Sequence, residues 1–383
     1  MAGYPDTHMI PSILIIAGEA SGDTVGGLLA TELKLLRPDI ELFGIGGDRM
    51  DMAGVNLRYH VNQLSFLGFW EVVKHLPFIK EVEQNILAAV NERRPGLAIL
   101  IDYPGFNLRL AEKLHAMNIP IMYYVSPQVW AWGKGRIEKI KRLVDKMVVV
   151  FEFEKDLYAR EGMTVEWHGH PLLDIVEPKF GRTDFLKKLG LSHDDSYIGL
   201  FPGSRRQEIE KILPVMRGAL ISLANDNLPV RGIVGCAAGI DDALYRAIAG
   251  DSLQFIRANT YDLMTHSELN LVASGTATLE SAMLGRPLFV LYKTSGLTYL
   301  IARQLVKIPF IGLVNVVAGE KIAPEFIQGD CKPPIVAGEM KKHLKDRALL
   351  GQMATRLSGV RSKLGQPGAS ERVARTALEM LPQ

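Results

Sequence analysis

Short, largely apolar runs alternate along this chain with stretches whose apolar residues recur at helical spacing. In the first half the runs fall at 13–17, 97–101, 121–125 and 146–151, and the series restarts at 197–201, 230–234, 269–273 and 287–292. Apolar runs of that length separated by amphipathic helices are the mark of βαβ units and of a parallel sheet covered on both faces. Two α/β halves are therefore predicted. Between them, residues 167–184 mix prolines, glycines and charges and break the periodicity, as a linker does, which places the boundary near Leu173. The expected organisation is a first domain over 1–173, a second over 174–355 and a helical tail over 356–383, with a break at 365–368 before a last amphipathic stretch at 370–381.

Composition narrows the class without naming a chemistry. With 383 residues, 48% hydrophobic and 22% charged, the chain is globular and long enough for two cores. A net charge of +2 supplies no global basic field, so nucleic acid is not an expected partner. The two cysteines, Cys236 and Cys331, lie in no metal-ligand spacing, so reduced thiols are expected. The opening residues lack the basic n-region of a secretory signal, and no stretch is a continuous apolar run of spanning length. The expectation is a cytoplasmic protein whose membrane contact is peripheral.

In open parallel sheets ligands bind beyond the carboxyl ends of the strands, so four strand-to-helix junctions carry the candidate chemistry. In ASGTATLE, Ser274, Gly275, Thr276 and Ala277 would present backbone N–H groups at a helix N-terminus, where a phosphate is favoured. Glu280 would follow one turn later, placed to accept the hydroxyls of a ribose. By pattern alone, Ser274 and Thr276 read equally well as helix caps. In FPGSRRQE, Arg205 brings a guanidinium suited to bidentate phosphate binding, or is a plain surface arginine. In IDYPGFN, Asp102 ends a strand before a proline turn and reads as a general base or as a helix cap. AGEASGD reads as a phosphate or sugar loop with Glu19, Ser21 and Asp23 beside an acceptor, or as a capped helix start. FGIGGDRM, residues 43–50, reads as a glycine turn. Neither GxxxxGK[ST] nor a strand-linked GxGxxG occurs, which removes support for a P-loop and for a dinucleotide site.

Two further stretches stand apart. Residues 126–145 combine two tryptophans with Arg136 and four other basic residues, suiting an anionic ligand or bilayer, or a solvated helix beside core tryptophans. Residues 64–79 carry Phe66, Leu67, Phe69, Trp70 and Leu76 among few charges. That segment is either core or an apolar patch for lipid. His168 and His170 in WHGHP lack a third ligand nearby and read as packing and hinge residues rather than a metal pair.

Taken in order, AGEASGD, GxGGxxM, LGFWEV, IDYPGFN, SPQVWAW with Arg136, GHPLLD, PGSRRQE, SGTATLE, NVVAG and APEFIQ make the chain resemble the lipid A disaccharide synthases, membrane-associated glycosyltransferases of Gram-negative bacteria. The resemblance implies the glycosyltransferase B-type fold, with two Rossmann-like domains facing across a cleft and the C-terminal helix crossing back to the first. It implies transfer of 2,3-diacylglucosamine from UDP-2,3-diacylglucosamine to the 6-hydroxyl of 2,3-diacylglucosamine 1-phosphate (lipid X), with inversion to a β-1,6 link and no required cofactor. By motif, Asp102 resembles the general base, Arg205 and the 274–277 helix end the donor phosphate site, Glu280 the ribose ligand and Asn315 a lining residue of the nucleotide pocket. Segment 64–79 then becomes a dock for acyl chains on the cytoplasmic face of the inner membrane, and a homodimer is left open. Two positions depart from the family pattern: Asp48, often Pro, and Gly105, acidic in some members. The competing readings are a UDP-sugar epimerase of the same architecture and a non-catalytic peripheral membrane protein that binds a nucleotide.

Overall fold

The computed structural model describes residues 11–64, 76–128, 135–296, 299 and 309–382. The chain divides into two compact units, Met1–Asp174 with Gln366–Gln383, and Ile175–Gly365. In the first, strands β1 (Ser12–Ala17), β2 (Glu41–Gly46), β3 (Asn56–His60), β4 (Leu97–Ile101), β5 (Ile121–Tyr124), β6 (Lys146–Val149) and β7 (Glu166–Trp167) form one sheet. Its order is β3-β2-β1-β4-β5-β6-β7, and every pairing is parallel. The second unit holds β8 (Tyr197–Phe201), β9 (Arg231–Gly235), β10 (Gln254–Ile256), β11 (Leu269–Ala273), β12 (Leu288–Tyr292) and β13 (Glu325–Ile327). They lie in the order β10-β9-β8-β11-β12-β13, again all parallel.

Both sheets reverse direction of winding beside their first strand, between β1 and β4 and between β8 and β11. That reversal opens the crevice in which doubly wound sheets take ligands. The four junctions singled out above are the loops after those four strands. The central strands β1, β4, β8 and β11 are buried along their whole length, which explains why they are apolar apart from Ser12 and Asn270.

The glycine turn expected at 43–50 is instead strand β2 running into the short helix Asp48–Met52. Gly44 sits at φ +152°, and a Cβ there would lie 1.9 Å from the Ile15 carbonyl oxygen. The glycine that made the run look like a turn is what lets β2 approach β1. Strands β7, β10 and β13, of two or three residues each, are too short to show a period.

The boundary expected at 356 falls inside the unbroken helix Arg347–Lys363. Leu357 and Val360 are buried there, and the helix packs on Thr276–Met283 and Leu313–Ala318 within the second unit. The chain turns only at Gly365 and Gly368, both at positive φ. The last helix, Ala369–Glu379, then packs on Ala20–Leu36 of the first unit through Ala369, Val373, Ala374 and Ala377. Its start is held by Asp174, whose carboxylate accepts from the Gly368 N–H at 2.6 Å, the Ser370 N–H at 3.2 Å and the Ser370 hydroxyl at 3.0 Å.

Candidate functional site

In the first unit, β4 ends in two successive non-glycine residues with left-handed backbone, Asp102 and Tyr103, each at φ +45°. Such a conformation costs about 1–3 kcal/mol per residue and persists only where neighbours impose it. The Asp102 N–H donates to the Tyr124 carbonyl at 3.1 Å. Its carbonyl accepts from the Tyr123 hydroxyl at 2.5 Å and from the Asn107 side-chain amide at 2.8 Å. The half-buried Asp102 thus stands at the strand end. Burial first, and then the Asp102 charge, pushes the Tyr123 phenol far above its ordinary pKa, with Arg136 opposing. Tyr123 is therefore a neutral donor. Arg136 itself is half-buried on the helix Gly135–Leu143.

The loop after β1 meets the loop after β4 through an aromatic ring. A Cβ on Gly18 would lie 2.2 Å from Tyr103 Cδ1, so only glycine admits the Tyr103 ring, whose hydroxyl reaches the Leu64 carbonyl at 3.3 Å. Glu19 is the N-cap residue of Ala20–Leu36 and makes no side-chain cap, and Ser21 lies half-buried in the first turn. Asp23 is a different case from the one expected. Only 6% exposed, its carboxylate accepts from the N–H groups of Gly47 at 2.6 Å and of Arg49 and Met50 at 3.1 Å. Its carboxylate thus caps the helix Asp48–Met52, a structural role beside the acceptor role expected of it.

In the second unit, the loop after β8 folds around a residue the sequence reading passed over. Glu208 accepts from the Ser204 N–H at 3.2 Å and pairs with Arg205 at 3.1 Å, while Gly203 at φ +115° leaves no room for a side chain beside it. Arg205 is thereby oriented within its own loop. Tyr292, ending β12, has its pKa raised by burial and then by the Glu208 carboxylate, with Arg205 opposing.

Beyond β11, the Ser274 N–H donates to Leu291 at 2.9 Å and its hydroxyl to the Ile311 carbonyl at 3.0 Å. Gly275 has open space where a Cβ would be. The helix Thr276–Met283 starts there without a side-chain cap, so its first-turn donors and dipole face that space. Ser274, Gly275, Thr276, Ala277 and Glu280 are all half-buried. β8 and β11 are neighbours in the sheet, so Arg205 and this helix end leave the same edge.

Asn315 does not line a pocket. It is wholly buried; its amide nitrogen donates to the Ala323 carbonyl and to Glu325, and its oxygen accepts from the Ile322 and Ala323 N–H groups, all at 2.9 Å. Glu325 in turn accepts from the N–H groups of Ile311 and Gly312 at 3.1 and 2.9 Å. The chain Asn315–Glu325–Ile311–Ser274 makes Asn315 a strut behind the helix end. No spacing in the sequence announces that role, because its partners are the backbone of Ile322 and Ala323 and the side chain of Glu325 on β13.

Of segment 64–79, Phe66, Leu67, Phe69 and Trp70 lie outside the described residues. Leu64 and Ile79 are core and Phe78 meets Tyr59 edge-on at 6.1 Å, whereas Leu76 is 37% exposed. His168 bonds Glu166 at 3.0 Å and His170 is buried against Phe151. Among the described residues no group of His, Cys, Asp and Glu is arranged to hold a metal.

Comparison with known proteins gives this geometry a family. A family model described as lipid-A-disaccharide synthetase matches residues 13–374. The lipid-A-disaccharide synthase of Syntrophus aciditrophicus is 42% identical over 379 residues, 96% of this chain and 97% of that one. Among solved structures, the UDP-GlcNAc 2-epimerase from Neisseria meningitidis bound to UDP-GlcNAc matches with a TM-score of 0.65 over 96% of this chain and 100% of its own, at 13% identity. CalG4, the calicheamicin glycosyltransferase, matches with a TM-score of 0.60 over 96% and 98%, also at 13% identity. At such identities these two likenesses show the glycosyltransferase B-type fold and nothing about activity. The family model and the close relative carry the rest: this chain is a glycosyltransferase and belongs to the lipid-A-disaccharide synthase family.

Proposed function

We propose that the protein joins 2,3-diacylglucosamine, supplied as its UDP conjugate, to the 6-hydroxyl of lipid X, giving the β-1,6 disaccharide 1-phosphate and UDP. The observation that carries this reading is the pairing of chemistry with topology. A carboxylate on strained backbone stands at the winding reversal of one sheet, and an arginine with an open helix N-terminus stands at that of the other. Asp102 takes the proton from the acceptor hydroxyl as its oxygen attacks the anomeric carbon. The bond from that carbon to the diphosphate breaks on the opposite face, so the α-linked donor gives a β product, and UDP leaves with the electron pair. Arg205 and the N-terminus of Thr276–Met283 meet the charge that develops there, and Glu280 holds the ribose hydroxyls. Phe66, Leu67, Phe69, Trp70 and Leu76 would take the acyl chains, with the protein peripheral on the cytoplasmic face of the inner membrane.

The test is to incubate the purified protein with UDP-2,3-diacylglucosamine and lipid X in detergent micelles and follow UDP and disaccharide by mass spectrometry. The two products should appear in equal amounts. Asp102→Asn should lower turnover by about 100-fold or more with UDP affinity retained, and Glu280→Ala should weaken UDP binding. Bound UDP without disaccharide would favour the binding-protein reading, and isomerised UDP-sugar the epimerase.

A further inference from the structure

The backbone at Asp102 poses a question that its assignment as a base leaves open. Two left-handed non-glycine residues in succession are an expensive way to pass from a strand to a helix, and a glycine at either position would relieve the strain. The conformation is imposed from beneath. The Asp102 carbonyl is clamped by the Tyr123 hydroxyl at 2.5 Å and the Asn107 amide at 2.8 Å, and the same amide holds the Ile101 carbonyl at 3.2 Å. Tyr123 and Asn107 are both 0% exposed. They come from different elements, β5 and the helix Pro104–Ala116, so the clamp fixes the turn against the sheet and against the helix at once. Neither residue reaches solvent, and both act on the peptide that follows the Asp102 side chain.

We infer that Tyr123 and Asn107 are positioning residues for the transfer reaction, which set the direction of the Asp102 carboxylate by gripping its carbonyl oxygen. This rests on Asp102 being the base. Removing one donor lets the turn relax toward an unstrained backbone, and a carboxylate displaced by about 1 Å loses on the order of 100-fold in rate while substrate binding is untouched.

The test is a double-mutant cycle on the full chain with Tyr123→Phe, which removes a single oxygen atom, and Asn107→Ala, each alone and combined with Asp102→Asn. Each single variant should lower kcat by about 10- to 100-fold, with KM for both substrates and Kd for UDP within about twofold of the wild type. In the Asp102→Asn background neither should lower the remaining rate further, because there is no base left to aim. Losses that multiply with that of Asp102→Asn, a shift in KM or Kd in place of kcat, or unchanged kcat in both single variants would overturn the assignment. Loss of cooperative melting in both would do so as well, since the clamp would then serve the fold alone. Full turnover by Asp102→Asn itself would overturn the base role, and the positioning role with it, while leaving the transfer reaction of the proposed function standing.

Discussion

Three backbone N–H groups converge on the carboxylate of Asp23, all from the start of the helix Asp48–Met52 and its N-cap Gly47, and the side chain is almost fully buried. Replacing it with alanine would strand those donors at the mouth of a helix, and hydrogen bonds to a buried charge are worth roughly 1.5–3 kcal/mol each in net terms. Since some donors would recover water, Asp23→Ala should lose about 3 kcal/mol of stability, read from its urea unfolding midpoint. Wild-type unfolding combined with loss of turnover would return Asp23 to the acceptor site. The residue also marks a limit of reading sequence. AGEASGD is legible as a loop beyond a strand, but which of its acids faces substrate depends on donors from a helix start more than twenty positions away. Asn315 is the same case with partners from Ile322 to Glu325. Asp102 and Arg205 stood out in the sequence because each is a charged residue in a loop that directly follows an apolar strand, Asp102 next to Ile101 and Arg205 at the cap of the helix after β8. Tyr123 was not, because a tyrosine inside an apolar run looks like packing until its hydroxyl is seen to hold a carbonyl.

At the scale of elements, the strands that could be read are those buried on both faces, whose sequence shows no interruption. Those that could not are glycine-bearing β2, the polar edge strand β3 and the short edges β7, β10 and β13. The turn Pro171–Asp174 is a further element set by its neighbours. His170 precedes it, with Nδ1 accepting from the Leu172 N–H at 3.2 Å and its ring 5.4 Å from that of Phe151. Burial lowers the His170 pKa from 6.5 to about 3. The folded state therefore keeps this ring neutral where the unfolded chain takes up a proton. Its contribution to stability is complete above the unfolded value and is lost as the pH falls below it, with a slope of about 1.4 kcal/mol per pH unit. Between about pH 6.5 and pH 5, before most carboxylates titrate, the protein should lose about 2 kcal/mol. His170→Gln should start less stable and show a flatter dependence over the same interval. Urea midpoints measured at half-unit steps would show it, and parallel curves for the two proteins would remove His170 as the cause.

For the molecule as a whole, the restart of the strand series made the two α/β halves legible, and both sheets wind in the same order. The return of the chain to the first unit at Gln366 is not written in any local pattern: the last helix is amphipathic like many others, and the motif resemblance, not periodicity, led to its expected place against the first domain, where it packs on Ala20–Leu36. Attachment to a bilayer is likewise a property of the whole surface. Among the described residues no helix is long and apolar enough to cross a membrane, and a net charge of +2 gives little long-range attraction to anionic lipid. The hold on acyl chains proposed above would then come from buried apolar area, and 64–79 is the stretch where the sequence concentrates it. Burying one Phe side chain is worth about 1.5–3 kcal/mol, so Phe69→Glu or Trp70→Glu should weaken partitioning to phospholipid vesicles by at least about tenfold. UDP affinity should not change, and raising the salt should release little of the wild type, because apolar contact is not screened. Sedimentation with vesicles at low and high salt separates the outcomes. Release of the variants would assign the stretch to lipid, whereas unchanged partitioning with reduced stability would join Phe69 and Trp70 to the core that already holds Leu64 and Ile79.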